Sequence, residues 1–150
     1  MMQQKNKTVT EPQNKSYKNL QCIAGDKLVE VKVHAFLSIA KVVYPFLIKY
    51  QCDEPMLPYM CGDLYRMVKT LLERFVKPEV IDKCSTPKKL VDLDVNKTEI
   101  YLPVEKVDVG FVVRKQLVSL KSEKKISDKE IYEFRNAART FLVKVVRKIL

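Results

Sequence analysis

The stretch SDKEIYEFRNAARTFLVKVVRKIL, residues 127–150, decides the fold class of this chain. Ser127 and Glu130 have the spacing of a capping box, which predicts that a helix begins there. Acidic residues lie early in the stretch and basic residues lie late, as the helix dipole favours. Apolar residues recur at helical spacing and form one stripe: Ile131, Phe134, Ala138, Phe141, Leu142, Val145 and Ile149.

The end of this helix carries the candidate nucleic-acid-binding residues Lys144, Arg147 and Lys148. Their charge suits phosphate, but basic residues spread around the solvent side of the helix, so a solvated face explains them at least as well. The apolar stripe is still in register at Leu150. We therefore expect it to meet a partner surface, or a second copy of the chain, and we interpret the chain as a piece of a larger protein.

Upstream, a helix is predicted to begin after Asp26, which suits its N-cap. Phe36, Val43 and Leu47 widen its apolar face, so we expect burial on more than one side. Pro45 removes a backbone donor and is expected to kink or end this helix near residues 41–44. The narrow stripe at helical spacing consists of Leu28, Val31, Ala35, Ile39, Val42 and Phe46.

Prolines mark the remaining helices. A second helix is predicted to begin between Pro58 and Asp63 and to end before Pro78. A short helix is predicted from Pro87, capped by the Ser-Thr pair that precedes it. Residues 90–100 are interpreted as a loop with one extended piece or a short edge strand.

A further helix is predicted over residues 104–120, opened by Pro103. Gly110 inside it is unfavourable for a helix, so we expect a close helix–helix contact there. Residues 1–19 contain almost no large apolar side chains, and we expect a flexible basic tail followed by a helical domain over residues 20–150. The fold class is therefore all-α, a bundle of about five helices with a disordered N-terminal tail.

Composition bounds the protein class. The chain has 150 residues, 47% of them hydrophobic, and a net charge of +10, which favours a single globular domain with polyanionic partners. The N-terminus lacks the apolar core of a signal peptide, so we expect a nuclear or cytoplasmic protein with four reduced, largely buried cysteines. Because Lys41 and Pro45 interrupt the longest apolar run, no membrane partner is predicted.

Motifs for catalysis are missing from the sequence. It has no phosphate-binding loop, no nucleophile elbow, no HExxH helix and no CxxC pair. Asp92 and Asp94 lack a third carboxylate at a useful spacing, and His34 has no obvious partner. We therefore predict no enzyme activity, no catalytic residue, no metal and no cofactor.

Several short motifs, in their order along the chain, resemble the helical region of hAT-type transposases, in particular domesticated or decayed copies in animal genomes. The resemblance covers nearly everything after the tail. The motifs are SYK (16–18), GDKL (25–28), PFLIK (45–49), DEPM (53–56), RFVKPEV (74–80), VDVGF (107–111), EFR (133–135) and FLVK (141–144).

The resemblance implies a helical insertion within a larger RNase H-like protein, apart from the acidic triad that holds two divalent metal ions. No triad carboxylate can be placed here, and the tryptophan common in such insertions is missing from this chain. The resulting hypothesis is a non-catalytic scaffold or interaction module of a transposon-derived protein that contributes to DNA binding. Two alternatives stay open. In the first, the chain is part of an active transposase whose triad lies outside this chain. In the second, it is a protein-interaction module whose binding is independent of salt.

Overall fold

The computed structural model describes residues 14–51 and 55–150, and the prediction of an all-α fold is confirmed in them. Two short helices, two 3₁₀ turns (Thr98–Ile100 and Val104–Lys106) and one antiparallel bridge between Val76 and Tyr101 complete the described structure. The short helices are α4 (Pro78–Lys83) and α5 (Pro87–Val91). The five helices of ten or more residues are α1 (Lys15–Ala24), α2 (Val29–Lys49), α3 (Leu57–Leu72), α6 (Phe111–Ser122) and α7 (Asp128–Ile149).

Helix α3 lies at the centre of the bundle. It packs against α2, α5 and α7, while α6 packs against α2. Leu71, Leu72 and Phe75, at and just beyond the end of α3, are fully buried. Burying each such side chain stabilises the fold by roughly 1.5–3 kcal/mol, so this end of α3 anchors the core.

Helix α7 begins as predicted. Ser127 Oγ accepts the Glu130 N–H at 3.2 Å, and the Glu130 carboxylate accepts the Ser127 N–H at 2.7 Å. Phe134, Leu142 and Val146 of this helix are buried, and the rest of its stripe packs against the core except Phe141, which is exposed. The chain itself therefore covers most of the stripe that we expected to meet a partner.

Helix α2 differs from its prediction at both ends. The carboxylate of Asp26 accepts the N–H of Leu28 at 2.9 Å, so Asp26 stabilises the turn before the helix, which begins at Val29. Pro45 does not end α2, which continues to Lys49. A proline removes one backbone hydrogen bond, and the packing of Phe46 against the core beyond it holds the last turn in place.

The boundaries of the other helices differ from the predicted ones by a few residues. Helix α3 begins at Leu57, just before the predicted range, and Pro78 opens α4 instead of closing α3. The start of α5 is as predicted, since Thr86 caps it by accepting the N–H of Lys89. Residues 90–100 form no strand in the described structure. Tyr101, just beyond them, makes the bridge.

The predicted boundary between tail and helical domain falls within a helix. Residues 15–19, assigned to the tail, belong to α1, which Asn14 caps by accepting the N–H of Tyr17 at 2.7 Å. Helix α1 has no buried residue. The rest of the predicted tail, residues 1–13, lies outside the described residues.

Gly110 lies outside a helix, contrary to the prediction. The predicted helix over residues 104–120 is divided into a 3₁₀ turn, an extended piece and α6, for which Gly110 is the N-cap with φ +97° and ψ 153°. Only glycine adopts this conformation without strain. A Cβ at Gly110 would lie 3.0 Å from the Cβ of Ser38, so the expected close contact exists, with α2 as the neighbour.

We expect Gly110→Ala to lower the free energy of unfolding by about 1–3 kcal/mol, because alanine at this φ is strained and meets Ser38. Urea unfolding followed by circular dichroism would measure it. Gly62→Ala is the matched control, since Gly62 lies inside α3 with no atom within 4 Å of an added Cβ. That change should stabilise the chain by up to about 1 kcal/mol. Equal effects of both substitutions would contradict this account of Gly110.

Candidate interaction surface on the second helix

Helix α2 has apolar side chains on two opposite sides. Val31, Ala35 and Ile39 are buried in the core. Each residue advances about 100° around a helix, so the second set points away from the first. We call this second set the α2 outer face; it consists of the exposed residues Val33, Phe36, Leu37, Tyr44, Leu47 and Ile48.

The exposure of the α2 outer face is large. Phe36 is 58% exposed, Tyr44 is 61% exposed and Leu47 is 50% exposed. Our prediction that Phe36 and Leu47 are buried is therefore wrong. The helices α3 and α6 pack against α2 and leave these side chains in solvent.

A signal for this surface was present in the sequence. Val33, Leu37, Ala40, Tyr44 and Leu47 are separated by alternating steps of four and three residues. This spacing is typical of the seam along which one helix packs on another. We assigned part of this seam to the core because a helix with apolar residues all round is usually buried.

An apolar groove borders the α2 outer face on the side of α7. Its volume is about 260 Å³, and the rings of Phe36 and Phe141 face each other across 6.3 Å between centroids. Lys32 is the charged residue of the lining and forms an ion pair with Asp26. This α2/α7 groove therefore extends the apolar surface of α2.

A second groove, between α2 and α6, is larger and positively charged. Its volume is about 500 Å³, and Leu37 and Phe111 line it together with Lys41, Arg74 and Arg114. The lining carboxylate is Asp108, which accepts the N–H of Gly110 at 3.1 Å. We call it the α2/α6 groove; three cations and one carboxylate leave it with a net positive charge.

Arg74 is held in the α2/α6 groove by α2. Its guanidinium donates to the hydroxyl and to the carbonyl oxygen of Ser38, each at 3.0 Å. His34 also lines this groove, and its Nδ1 atom is buried without a hydrogen-bond partner in the part of the chain that the structure describes. We assigned no catalytic or metal role to His34.

Asp63 fastens the C-terminal end of α2 to α3. Its carboxylate accepts hydrogen bonds from Lys49 and from Tyr50, the latter at 2.8 Å, and also pairs with Arg66. These contacts, with that of Lys49 the strongest, lower the pKa of Asp63 to about 2. The C-terminal end of the helix that carries the α2 outer face is therefore fixed to α3.

We expect stability to depend on pH through Asp63. A carboxyl group with a lowered pKa stabilises the fold above its unfolded pKa, near 3.8, and this contribution is lost as the pH falls toward 2. Asp63→Asn should lower the free energy of unfolding at neutral pH, and its difference from wild type should shrink between these pH values. Asp82→Asn is the control, because Asp82 is exposed and its carboxylate forms no ion pair within residues 14–51 and 55–150. If the difference in free energy of unfolding between Asp63→Asn and wild type does not change with pH, the contacts of the Asp63 carboxylate do not stabilise the end of α2.

The predicted nucleic-acid-binding residues Lys144, Arg147 and Lys148 lie exposed on the last turns of α7. The structure does not place them in the α2/α6 groove or the α2/α7 groove. They lie where free carbonyl groups give a helix partial negative charge, which attracts cations and disfavours phosphate. The geometry thus brings these three residues to one helix end without forming a phosphate pocket.

The DNA-binding hypothesis has a quantitative test. If all three residues contact phosphates, replacing them together by alanine should reduce the slope of log K against log salt by about 0.9 per lost contact. A fluorescence-polarisation titration of duplex DNA at several salt concentrations would measure the slope. The matched control replaces Lys83, Lys88 and Lys89, which are also exposed, and alters the net charge equally. Equal slopes for both triple variants would contradict a specific role for the α7 residues.

The remaining titratable groups supply no metal site. No cluster of three or more histidine, cysteine, aspartate or glutamate residues able to hold a metal occurs in residues 14–51 and 55–150.

Cys84 is buried, but Cys22 and Cys61 are exposed, so our prediction of buried thiols is wrong for these two. Helix α1 has no buried residue, and α3 starts at the surface, which explains their exposure. Cys52 lies outside the described residues.

Helix α2 is also long and apolar enough to cross a membrane, by length and composition alone. Our prediction of no membrane partner relied on the interruption by Lys41 and Pro45, but the helix runs through both. The core helix of a globular protein passes the same test, and Val31, Ala35 and Ile39 are packed in the core.

Comparison with protein-family models, with curated proteins and with solved structures finds no match for this chain.

Proposed function

We propose that this chain is a non-catalytic interaction module that binds an amphipathic helix of another protein along the α2 outer face. The single observation that carries the proposal is the row of six large apolar side chains left in solvent on a helix whose opposite side forms the core. Covering one such side chain completely is worth roughly 1.5–3 kcal/mol. Contiguous exposed apolar surface of this kind is typical of protein-binding sites.

The shape of the surface favours a helical partner. The four-and-three spacing provides a seam for knobs-into-holes packing, and grooves lie on both sides of the α2 ridge. Phe36 and Tyr44 are aromatic residues of the kind that anchor interfaces. The apolar residues of the partner helix would therefore lie along α2, and the flanks of the partner helix would lie over the two grooves.

The carboxyl pKa values in the described residues favour no carboxylic acid as a proton donor. A carboxyl group that acts as a general acid at neutral pH needs a raised pKa. In the described residues, every carboxyl pKa with a resolved shift is lowered, by cationic side chains or by hydrogen bonds: Asp26, Asp63, Asp94, Glu123 and Glu130. These groups are stabilised as anions.

Origin from an hAT-type transposon, a nuclear or cytoplasmic location and a contribution to DNA binding stay part of this proposal, supported by the order of the sequence motifs and the net charge of +10. Membership in an active transposase, with the acidic triad outside these 150 residues, stays the alternative. Because the apolar stripe of α7 is buried, we do not propose an interaction through the last helix. The proposed contact lies on α2 instead.

A designed peptide tests the proposal. The peptide is as long as α2, carries leucine at the four-and-three spacing, and has only glutamine and serine elsewhere. We expect the chain to bind it, with little dependence on salt because no charged groups pair. Replacing Leu37 and Tyr44 together by serine should weaken binding at least about tenfold, the equivalent of about 1.4 kcal/mol. Fluorescence anisotropy of the labelled peptide measures the affinity.

The matched control replaces Leu57 and Tyr59 by serine, since both are large, apolar and exposed at the start of α3. This variant should bind like the wild type, and circular dichroism verifies that both variants are folded. The same titration with neutral lipid vesicles distinguishes a membrane from a helix. Equal affinity of both variants, or binding to vesicles and not to the peptide, would refute the proposal.

A further inference from the structure

We infer that the partner of the α2 outer face is an acidic amphipathic helix, whose carboxylates lie against the cations of the α2/α6 groove. The inference rests on the proposed function and adds the charge of the partner to it. Three observations among the described residues support it: cations without a carboxylate partner beside exposed apolar side chains, a guanidinium whose acceptors are neutral, and a helix N-terminus that opens into the same groove.

The first observation concerns the exposed cations. Lys41, Arg114 and Lys115 have no carboxylate within 4.0 Å in the part of the chain that the structure describes. The Nζ of Lys115 lies 4.7 Å from the ring centroid of exposed Phe111, and Lys41 and Arg114 line the groove with Leu37. Positive charge therefore borders apolar surface directly, as in the polar rim of a protein interface.

The second observation concerns Arg74. Its guanidinium is half-buried, and the acceptors that it reaches are the uncharged hydroxyl and carbonyl oxygens of Ser38. Hydrogen bonds between a guanidinium and a carboxylate are roughly twice as strong as neutral ones. An incoming carboxylate would thus find a donor that α2 already holds in position.

The third observation concerns the start of α6. Its N-cap, Gly110, has no side chain to accept the first backbone N–H groups, and no side-chain cap replaces it. The residues of this first turn, Phe111, Val112 and Val113, line the groove. The partial positive charge of a helix N-terminus adds to that of the side chains, so the groove favours an anionic group.

Charge and shape together favour this partner over a second copy of the chain and over nucleic acid. A second copy of the chain would bring the same cations and a net charge of +10 to the contact. Nucleic acid would satisfy the cations but would leave Tyr44 and Leu47 uncovered. A helix with an apolar seam and acidic flanks satisfies both parts of the surface, as charged flanks do in coiled coils.

Three peptides with the same length and the same leucine seam test the inference, with flanking positions occupied by glutamate, glutamine or lysine. At low salt we expect the acidic peptide to bind about three- to tenfold tighter than the neutral one, and the basic peptide to bind more weakly than both. The advantage of the acidic peptide should shrink as salt is raised. Fluorescence anisotropy at two salt concentrations measures all three affinities.

Lys41→Glu together with Arg114→Glu should abolish the preference for the acidic peptide while the affinity for the neutral peptide stays within about threefold. The matched control is Lys144→Glu with Arg147→Glu, which changes the net charge equally on exposed positions of α7. This control should keep most of the preference. Loss of the preference in both variants would mean that overall charge, and not the groove, selects the peptide.

The outcomes separate the inference from the proposed function. Equal binding of the acidic and neutral peptides overturns the inference and leaves the function standing. Failure of all three peptides overturns both. Binding of single-stranded DNA or of anionic vesicles that depends on Lys41 and Arg114, without binding of the acidic peptide, overturns the inference in favour of that other polyanion.

Discussion

Backbone hydrogen bonds at the end of α3 hold the second half of the chain against the first. The N–H of Leu102 donates to the carbonyl of Phe75 at 2.8 Å, the N–H of Lys77 donates to Ile100, and the N–H of Asp108 donates to Arg74 at 2.8 Å. This short ladder lays residues 100–108 across the fully buried end of α3. The last hydrogen bond of the ladder, at Asp108, lies two residues before Gly110, the N-cap of α6.

The candidate surface depends on that arrangement. Once α6 begins beside Ser38, its first turn and Arg114 border α2, and Arg74, at the same end of the ladder, also reaches Ser38. The cations of the α2/α6 groove therefore come from three separate segments of the chain. The exposed apolar side of α2 needs no such assembly, since it belongs to one continuous helix. Both features meet at Leu37, which lies on the outer face and lines the groove.

Patterns in the sequence correctly predicted features that depend on residues close together along the chain. The capping box at Ser127 and the cap of α5 at Thr86 follow from side chains within one or two turns of each other, whereas α1 was not predicted as a helix. Pro45 does not end α2, because the effect of a proline on a helix depends on packing beyond it, here at Phe46. Gly110 misled for a similar reason, since its positive φ follows from the meeting of α6 and α2.

The sequence by itself determined that the chain is helical, basic and amphipathic, because these properties depend on composition and on spacing along each helix. Only the tertiary structure decided which apolar side of α2 is buried. Both sides of that helix satisfy the spacing rule, and the choice follows from the helices that pack against it. The grouping of Lys41, Arg74 and Arg114 was likewise undecided until the fold brought three distant segments together, since charges far apart in sequence share no local pattern.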